Sequence, residues 1–312
     1  MRIFGELQDR ADASAAEAAR VRLNLSSVRS LVAVASPKGG SGKSALAVNI
    51  AATLASAGKK VGIVDADLNA PSVLAMLGVK VPRYLPMAEG IEPASGPLGI
   101  RLVSGEFLPE VQPPAPISFV DFADVSAEPV REPLEASHGA AVARMLAQTR
   151  FGNLDLLLVD LAPGFDRLHR LASLVMPAGV LLVTRPSADD ARGLARIFAM
   201  RKRLGLPILG VVENMVGFSC NNCRSVRPLF PEGEVSRVTR EAGIEIVARL
   251  PFDPRFAESS ERGRPFAQEY ADSPLAKQIA EMARRIAADM NARAAEAGNS
   301  IGLSDSAEET AD

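Results

Sequence analysis

The sequence predicts an α/β fold, a mostly parallel, doubly wound sheet in a single domain with flexible tails. Three observations predict it. Short continuous apolar runs recur along the chain, helical stretches separate most of them, and a glycine-rich segment joins the first run to the first helix. Apolar runs without polar alternation suit strands buried on both faces, the condition of a parallel sheet covered by crossover helices.

Composition narrows the class. With 312 residues, 47% hydrophobic and 23% charged, the chain has enough apolar material for a sizeable core, and global disorder is excluded. A net charge of −2 removes the electrostatic case for a general nucleic-acid binder. Two cysteines make no disulfide framework and point to a reducing compartment. Residues 1–20 carry acids from Glu6 onward and no apolar core, so they do not read as a secretory signal. No window approaches the ~18 uncharged apolar residues of a membrane span. The expectation is a cytoplasmic protein with no nucleic-acid and no membrane partner.

Taken in order, residues 1–29 form an N-terminal arm, poorly ordered or helical, and residues 30–294 form the folded domain. The run from Leu31 is the first strand. Ser44 onward is helical, with Gly58 as its C-terminal stop, and a second buried run over 61–64 ends in Asp65. Strand–helix–strand of this length makes a right-handed parallel crossover. Further strands are expected over 100–103, 154–159, 180–184, 208–212 and 244–248, with helices over 137–149, 188–204 and 234–242. Residues 104–136 carry six prolines and no clear period, and read as a long surface loop. Residues 214–235 read as another loop. Leu275, Ile279, Met282, Ile286 and Met290 fall at spacings of three and four, which predicts an amphipathic helix over 274–294. Residues 295–312 are read as a disordered acidic tail.

The segment after the first strand is Ser36-Pro37-Lys38-Gly39-Gly40-Ser41-Gly42-Lys43-Ser44. It satisfies the phosphate-loop pattern except that Pro37 stands where the strict form has glycine. Its glycines let backbone N–H groups curl inward at a helix start, a concave site for a di- or triphosphate. Lys43 would reach the β- and γ-phosphates, and the Ser44 hydroxyl would bind Mg²⁺.

Two strand ends carry acids. Asp65 and Asp67 follow the second strand, at the edge where open parallel sheets place their ligand crevice. Asp160 ends the run over 154–159 and is followed by Leu161-Ala162-Pro163-Gly164, an apolar strand with an acid for Mg²⁺-bound water and a glycine whose N–H can meet the γ-phosphate. Beyond 208–212 comes Asn214, whose amide matches the amino group and adjacent ring nitrogen of adenine. Six residues later lies Cys220-Asn221-Asn222-Cys223. A lone CxxC can be redox-active, zinc-binding, cluster-binding or idle. A [4Fe–4S] cluster or a Cys₄ zinc site needs four thiolates, so two subunits would have to supply them. His138 and His169 lie far apart in sequence and read as ordinary surface or packing residues.

Lys38-Gly39-Gly40-Ser41-Gly42-Lys43-Ser44 resembles the deviant Walker A loop of the ATPases that include nitrogenase iron protein, MinD, ParA and the Mrp/ApbC iron–sulfur carriers. The resemblance implies a P-loop NTPase fold and a homodimer in which Lys38 reaches the partner subunit's nucleotide. It implies that Asp67 positions the attacking water and that Asp65 belongs to the outer shell of the metal. It also makes Asn214 a base contact, with Pro251 in a Leu250-Pro251-Phe252-Asp253 loop flanking the adenine. Asn214-Met215 followed by Phe218, Cys220 and Cys223 resembles the Mrp/ApbC branch, as does the segment from Leu229 to Gly233.

That branch implies an ATP-binding, ATP-hydrolysing carrier that assembles a [4Fe–4S] cluster on Cys220 and Cys223 of two subunits, or transfers it to apo iron–sulfur proteins. The switch departs from the branch: Ala162 replaces a proline, and Phe165-Asp166-Arg167 replaces Thr-Gly-Asp, so hydrolysis is expected to be slow. The other readings are a ParA- or MinD-like switch in DNA partition or cell-division positioning, and a zinc-structured ATPase. The resemblance spans residues 30–285 and is thin over 79–150, where no first switch segment aligns.

Overall fold

The computed structural model describes residues 15–80, 90–107, 134–219, 225–231 and 233–302. A first helix, α1, covers residues 15–24. Strand β1 (Leu31–Ala35) leads through the glycine loop into α2 (Lys43–Ser56), and β2 (Val61–Ala66) into the short α3 (Val73–Met76). β3 (Ala94–Ser95), β4 (Arg101–Ser104), α4 (Leu134–Gln148), β5 (Leu156–Leu161) and α5 (Phe165–Leu174) follow. Next come β6 (Gly179–Thr184), α6 (Ala188–Leu204), β7 (Ile208–Ser219), β8 (Val226–Pro228), α7 (Glu234–Glu241) and β9 (Ile246–Phe252). The chain closes with α8 (Pro254–Glu261), α9 (Phe266–Glu269) and α10 (Pro274–Gly302).

The sheet runs β3-β4-β2-β5-β1-β6-β7-β8, with β9 also paired to β7. β1, β2, β4, β5, β6, β7 and β9 are joined by parallel pairings, while β3 and β8 lie antiparallel to β4 and β7. Every residue of β1, β2, β5 and β6 is buried, which is why those runs are apolar without alternation. Register then fixes the functional edge. Val34 lies opposite Asp160, and Asp65 lies opposite Asp160 from the other side, so the glycine loop and both acids emerge at one end of three adjacent strands.

Helix α2 is buried on more than one side because it sits between the sheet and α9 and α10. Its one buried amide, Asn49, is satisfied at both ends: Nδ2 donates to Ala45 O, and Oδ1 accepts from Ala267 N. The predicted apolar face of α10 is buried at Leu275, Ile279, Met282, Ile286 and Met290.

The N-terminal arm takes the helical one of its two expected forms from residue 15 on. Ala18, Val21 and Leu25, spaced three and four apart, are buried, and Asn24 Nδ2 donates to Leu146 O and Thr149 O. The proline-rich stretch 104–136 is structured at both ends, where Ser104 closes β4, residues 105–107 form a 3₁₀ turn and α4 begins at Leu134; 108–133 lie outside the described residues.

Within the expected loop 214–235, residues 214–219 and 226–228 are strand, while 220–224 and 232 lie outside the described residues. β7 continues to Ser219, beyond its pairing with β6, and there forms three antiparallel pairings with β8: Gly217–Pro228, Phe218–Arg227 and Ser219–Val226. α10 runs through 295–302 rather than ending at 294, and 303–312 lie outside the described residues. The strand expected over 244–248 starts two residues later and includes Leu250-Pro251-Phe252, so Pro251 lies inside the last residues of a strand instead of in a loop. Helix α5 was not expected at all.

Candidate nucleotide site

Gly40 and Gly42 take positive φ values of 74° and 82°, the left-handed region that lets successive N–H groups turn inward. Gly42 has a second reason to be glycine: a Cβ there would lie 2.4 Å from Asn214 Nδ2. That amide donates to Ser41 O at 2.8 Å and braces the loop from β7. On the other side, a Cβ on Gly193 of α6 would meet Pro37 Cβ at 2.4 Å. Pro37, the departure from the strict pattern, is thus seated on a helix that leaves it room. Gly164 N donates to Ser36 O at 3.0 Å, which ties the loop to the start of α5.

The charged centre is buried. Lys43 Nζ lies 2.6 Å from Asp160 Oδ1 and 3.3 Å from Ser44 Oγ. The lysine expected on the phosphates is therefore paired with the acid expected near the metal. Burial raises the Asp160 carboxyl pKa, Lys43 opposes that rise, and Asp67 adds to it. Asp160 Oδ2, Ser36 Oγ and Ser41 Oγ are buried with no hydrogen-bond partner among the described residues. An unsatisfied buried carboxylate oxygen beside a hydroxyl is an oxygen-donor set that suits Mg²⁺, and the orphaned loop hydroxyl of Ser41 suits a polar ligand. The residues present fit a magnesium nucleotide.

Asp65 has a different surrounding from the one expected. Its carboxylate accepts from the backbone N–H of Asp67, Ser72 and Val73 at 3.2, 2.8 and 3.0 Å, so it braces the turn that carries Asp67 into α3. Burial, then the Asp160 charge, push the Asp65 carboxyl up to about 7 against those three donors. Asp67 is half-buried on that turn.

Across the sheet, Asn214 stands opposite Leu250, one residue before Pro251. Asp253 caps α8 through Arg255 N, and the Arg255 guanidinium lies over the Tyr270 ring. Met215, beside Asn214, has φ 61°, one of two positive values outside glycine among the described residues. Beyond it, the β7–β9 register slips between Asn214 and Phe218. Cys220 and Cys223 lie outside the described residues, in the stretch connecting β7 to β8. Phe218 and Leu229 flank that stretch and are exposed. No group of three or more His, Cys, Asp or Glu poised to hold a metal occurs among the described residues.

Two residues that pack beside the loop were not identified from sequence. Asp189, in the first turn of α6, forms an ion pair with Lys38. Gly193, four residues on, receives Pro37. A glycine inside an otherwise helix-favouring stretch was the available signal for the second; the first had none.

Residues 27–287 match the family model described as ParA: NUBPL iron-transfer P-loop NTPase. The chain is 33% identical over 269 residues to an iron-sulfur cluster carrier protein of Saccharolobus solfataricus, covering 86% of each chain. It is 34% identical over 276 residues to the cytosolic Fe-S cluster assembly factor NUBP2 of Bos taurus, covering 86% of this chain and 96% of that one. Among solved structures, it resembles a nucleotide-binding protein in complex with ADP from Archaeoglobus fulgidus, with TM-score 0.65 and 29% identity over 83% of this chain and 95% of that one. The cell division ATPase MinD of Pyrococcus furiosus shares the fold, with TM-score 0.56 at 21% identity, over 82% of this chain and 98% of that one.

Proposed function

The chain belongs to the NUBPL iron-transfer P-loop NTPase family, and from that premise we propose that it is an iron–sulfur cluster carrier driven by ATP. Its cargo is a [4Fe–4S] cluster held by Cys220 and Cys223 of two copies and passed to apo iron–sulfur proteins. Relatives named as iron-sulfur cluster carriers and a cytosolic assembly factor, matched over most of their length, support this reading and a cytosolic place of work. No helix among the described residues is long and apolar enough to cross a membrane.

The observation that carries the nucleotide half is the buried Lys43–Asp160 pair with Ser44 beside it. A triphosphate entering the glycine loop would compete with Asp160 for the Lys43 ammonium. Ser44 and the released Asp160 would then hold Mg²⁺, which offsets phosphate charge. Gly164 N–H already serves Ser36 O, so contact with a γ-phosphate would require it to leave that carbonyl, coupling the start of α5 to the nucleotide. Asp67 would orient the attacking water on the turn that Asp65 braces, giving ADP and phosphate. Hydrolysis is expected to be slow, because Phe165-Asp166-Arg167 opens α5 where the carriers have a different triplet.

The cargo half rests on chemistry. Thiolates favour iron–sulfur clusters and zinc over hard cations, and a cluster shared by two thiolates per chain is suited to release. The test is transfer. Cluster-loaded protein mixed anaerobically with an apo [4Fe–4S] enzyme should restore that enzyme's activity. Release of free iron without recovery would count against carriage.

A further inference from the structure

Two consecutive residues of the phosphate loop lie along one face of α6. Pro37 seats on Gly193, and Lys38 pairs with Asp189, four residues earlier in the helix. Residues four apart on a helix share a face, so the Pro37 contact holds the root of Lys38 beside the turn that carries its acid. Asp189 also accepts from Arg192 Nη2 at 2.7 Å. The neighbouring Asp190 is not available to Lys38: it is fully buried and engaged with Arg185 and Ser187. Lys38 and Asp189 themselves are 44% and 50% exposed.

We propose that Asp189 is the resting acceptor of the Lys38 ammonium and so sets how much ATP is needed before Lys38 acts across the dimer. This rests on the reading of Lys38 as a residue that reaches the partner's nucleotide. An ammonium that leaves Asp189 for a phosphate gives up an exposed ion pair, and Arg192 remains to balance the acid it leaves. Such pairs are weak enough to break and strong enough to shift an equilibrium several-fold. Asp189 is a positioning residue; it touches no reacting atom.

The test compares four chains: unaltered, Asp189→Asn, Lys38→Ala and the double variant. ATP-dependent dimerisation and hydrolysis are followed against ATP concentration at two salt concentrations, with ADP affinity measured alongside. Asp189→Asn should lower the ATP concentration for half-maximal dimerisation about two- to fivefold, with the saturating rate and ADP affinity unchanged. Added salt should narrow the gap by weakening the unaltered pair. The double variant should match Lys38→Ala. An unchanged or raised ATP requirement in Asp189→Asn, or the same shift in the Lys38→Ala background, overturns the proposal. If Lys38→Ala itself dimerises like the unaltered chain, the cross-dimer role of Lys38 fails and the latch with it. A defective Lys38→Ala beside a silent Asp189→Asn removes the latch alone.

Discussion

Lys43 Nζ sits 2.6 Å from Asp160 Oδ1, joining residues 117 apart in sequence inside the protein. The pair gives Lys43 a structural role in addition to its expected contact with phosphate. Removing one member of a buried ion pair leaves the other desolvated and unpaired, and the second oxygen of Asp160 already has no partner among the described residues.

Lys43→Ala should therefore abolish nucleotide binding and also destabilise the fold, by about 3 kcal/mol. Adding Asp160→Asn should recover much of the stability while binding stays lost. Urea denaturation and calorimetry check this. A single variant as stable as the unaltered protein would show that the pair contributes nothing.

The Asp65 carboxyl gives a pH signature. Its folded value, about 7, lies above its ordinary value of 3.8, so the folded state holds the proton more tightly than the unfolded state. Stability from this group is full below the unfolded value, declines as pH rises from about 4 to about 7, and is level above that, a loss on the order of 4 kcal/mol. Asp65→Asn should flatten that slope. A slope unchanged in the variant would assign the pH dependence elsewhere.

Gly193→Ala places a methyl group 2.4 Å from Pro37 Cβ. Either α6 or the base of the phosphate loop must move, and nucleotide affinity should fall roughly tenfold, since misplacing a loop by a fraction of an ångström weakens several N–H contacts at once. Pro37→Gly in the same chain removes the clash and should restore most of the affinity. Equal loss in both chains would show that the contact is not the cause.

Much of the site was legible because its parts are local. A buried strand, a glycine-rich turn and a helix start are contiguous, and Asp65 and Asp160 follow apolar runs directly. Pairings across the chain were not legible: nothing local joins Lys38 to Asp189, or Asn214 to Ser41. Helix α5 has a readable signal, since Leu168, Leu171 and Leu174 are spaced three apart and all buried, but it starts directly at the glycine and triplet that follow Asp160, where local sequence reads as a loop. The extension of β7 was concealed by Asn214 and Gly217, which read as turn residues, and by the left-handed Met215, whose conformation no side-chain preference announces.

The central claim is that this chain carries a [4Fe–4S] cluster on cysteines shared by two copies. The most direct measurement is iron and sulfide per dimer after anaerobic reconstitution, in the unaltered protein and in Cys220→Ala and Cys223→Ala. About four irons and four sulfides per dimer are expected, with the visible absorption of a [4Fe–4S] cluster. Both should be lost in either variant while ATP binding is retained. Stoichiometric zinc without sulfide, or a cluster that persists in both variants, would contradict it.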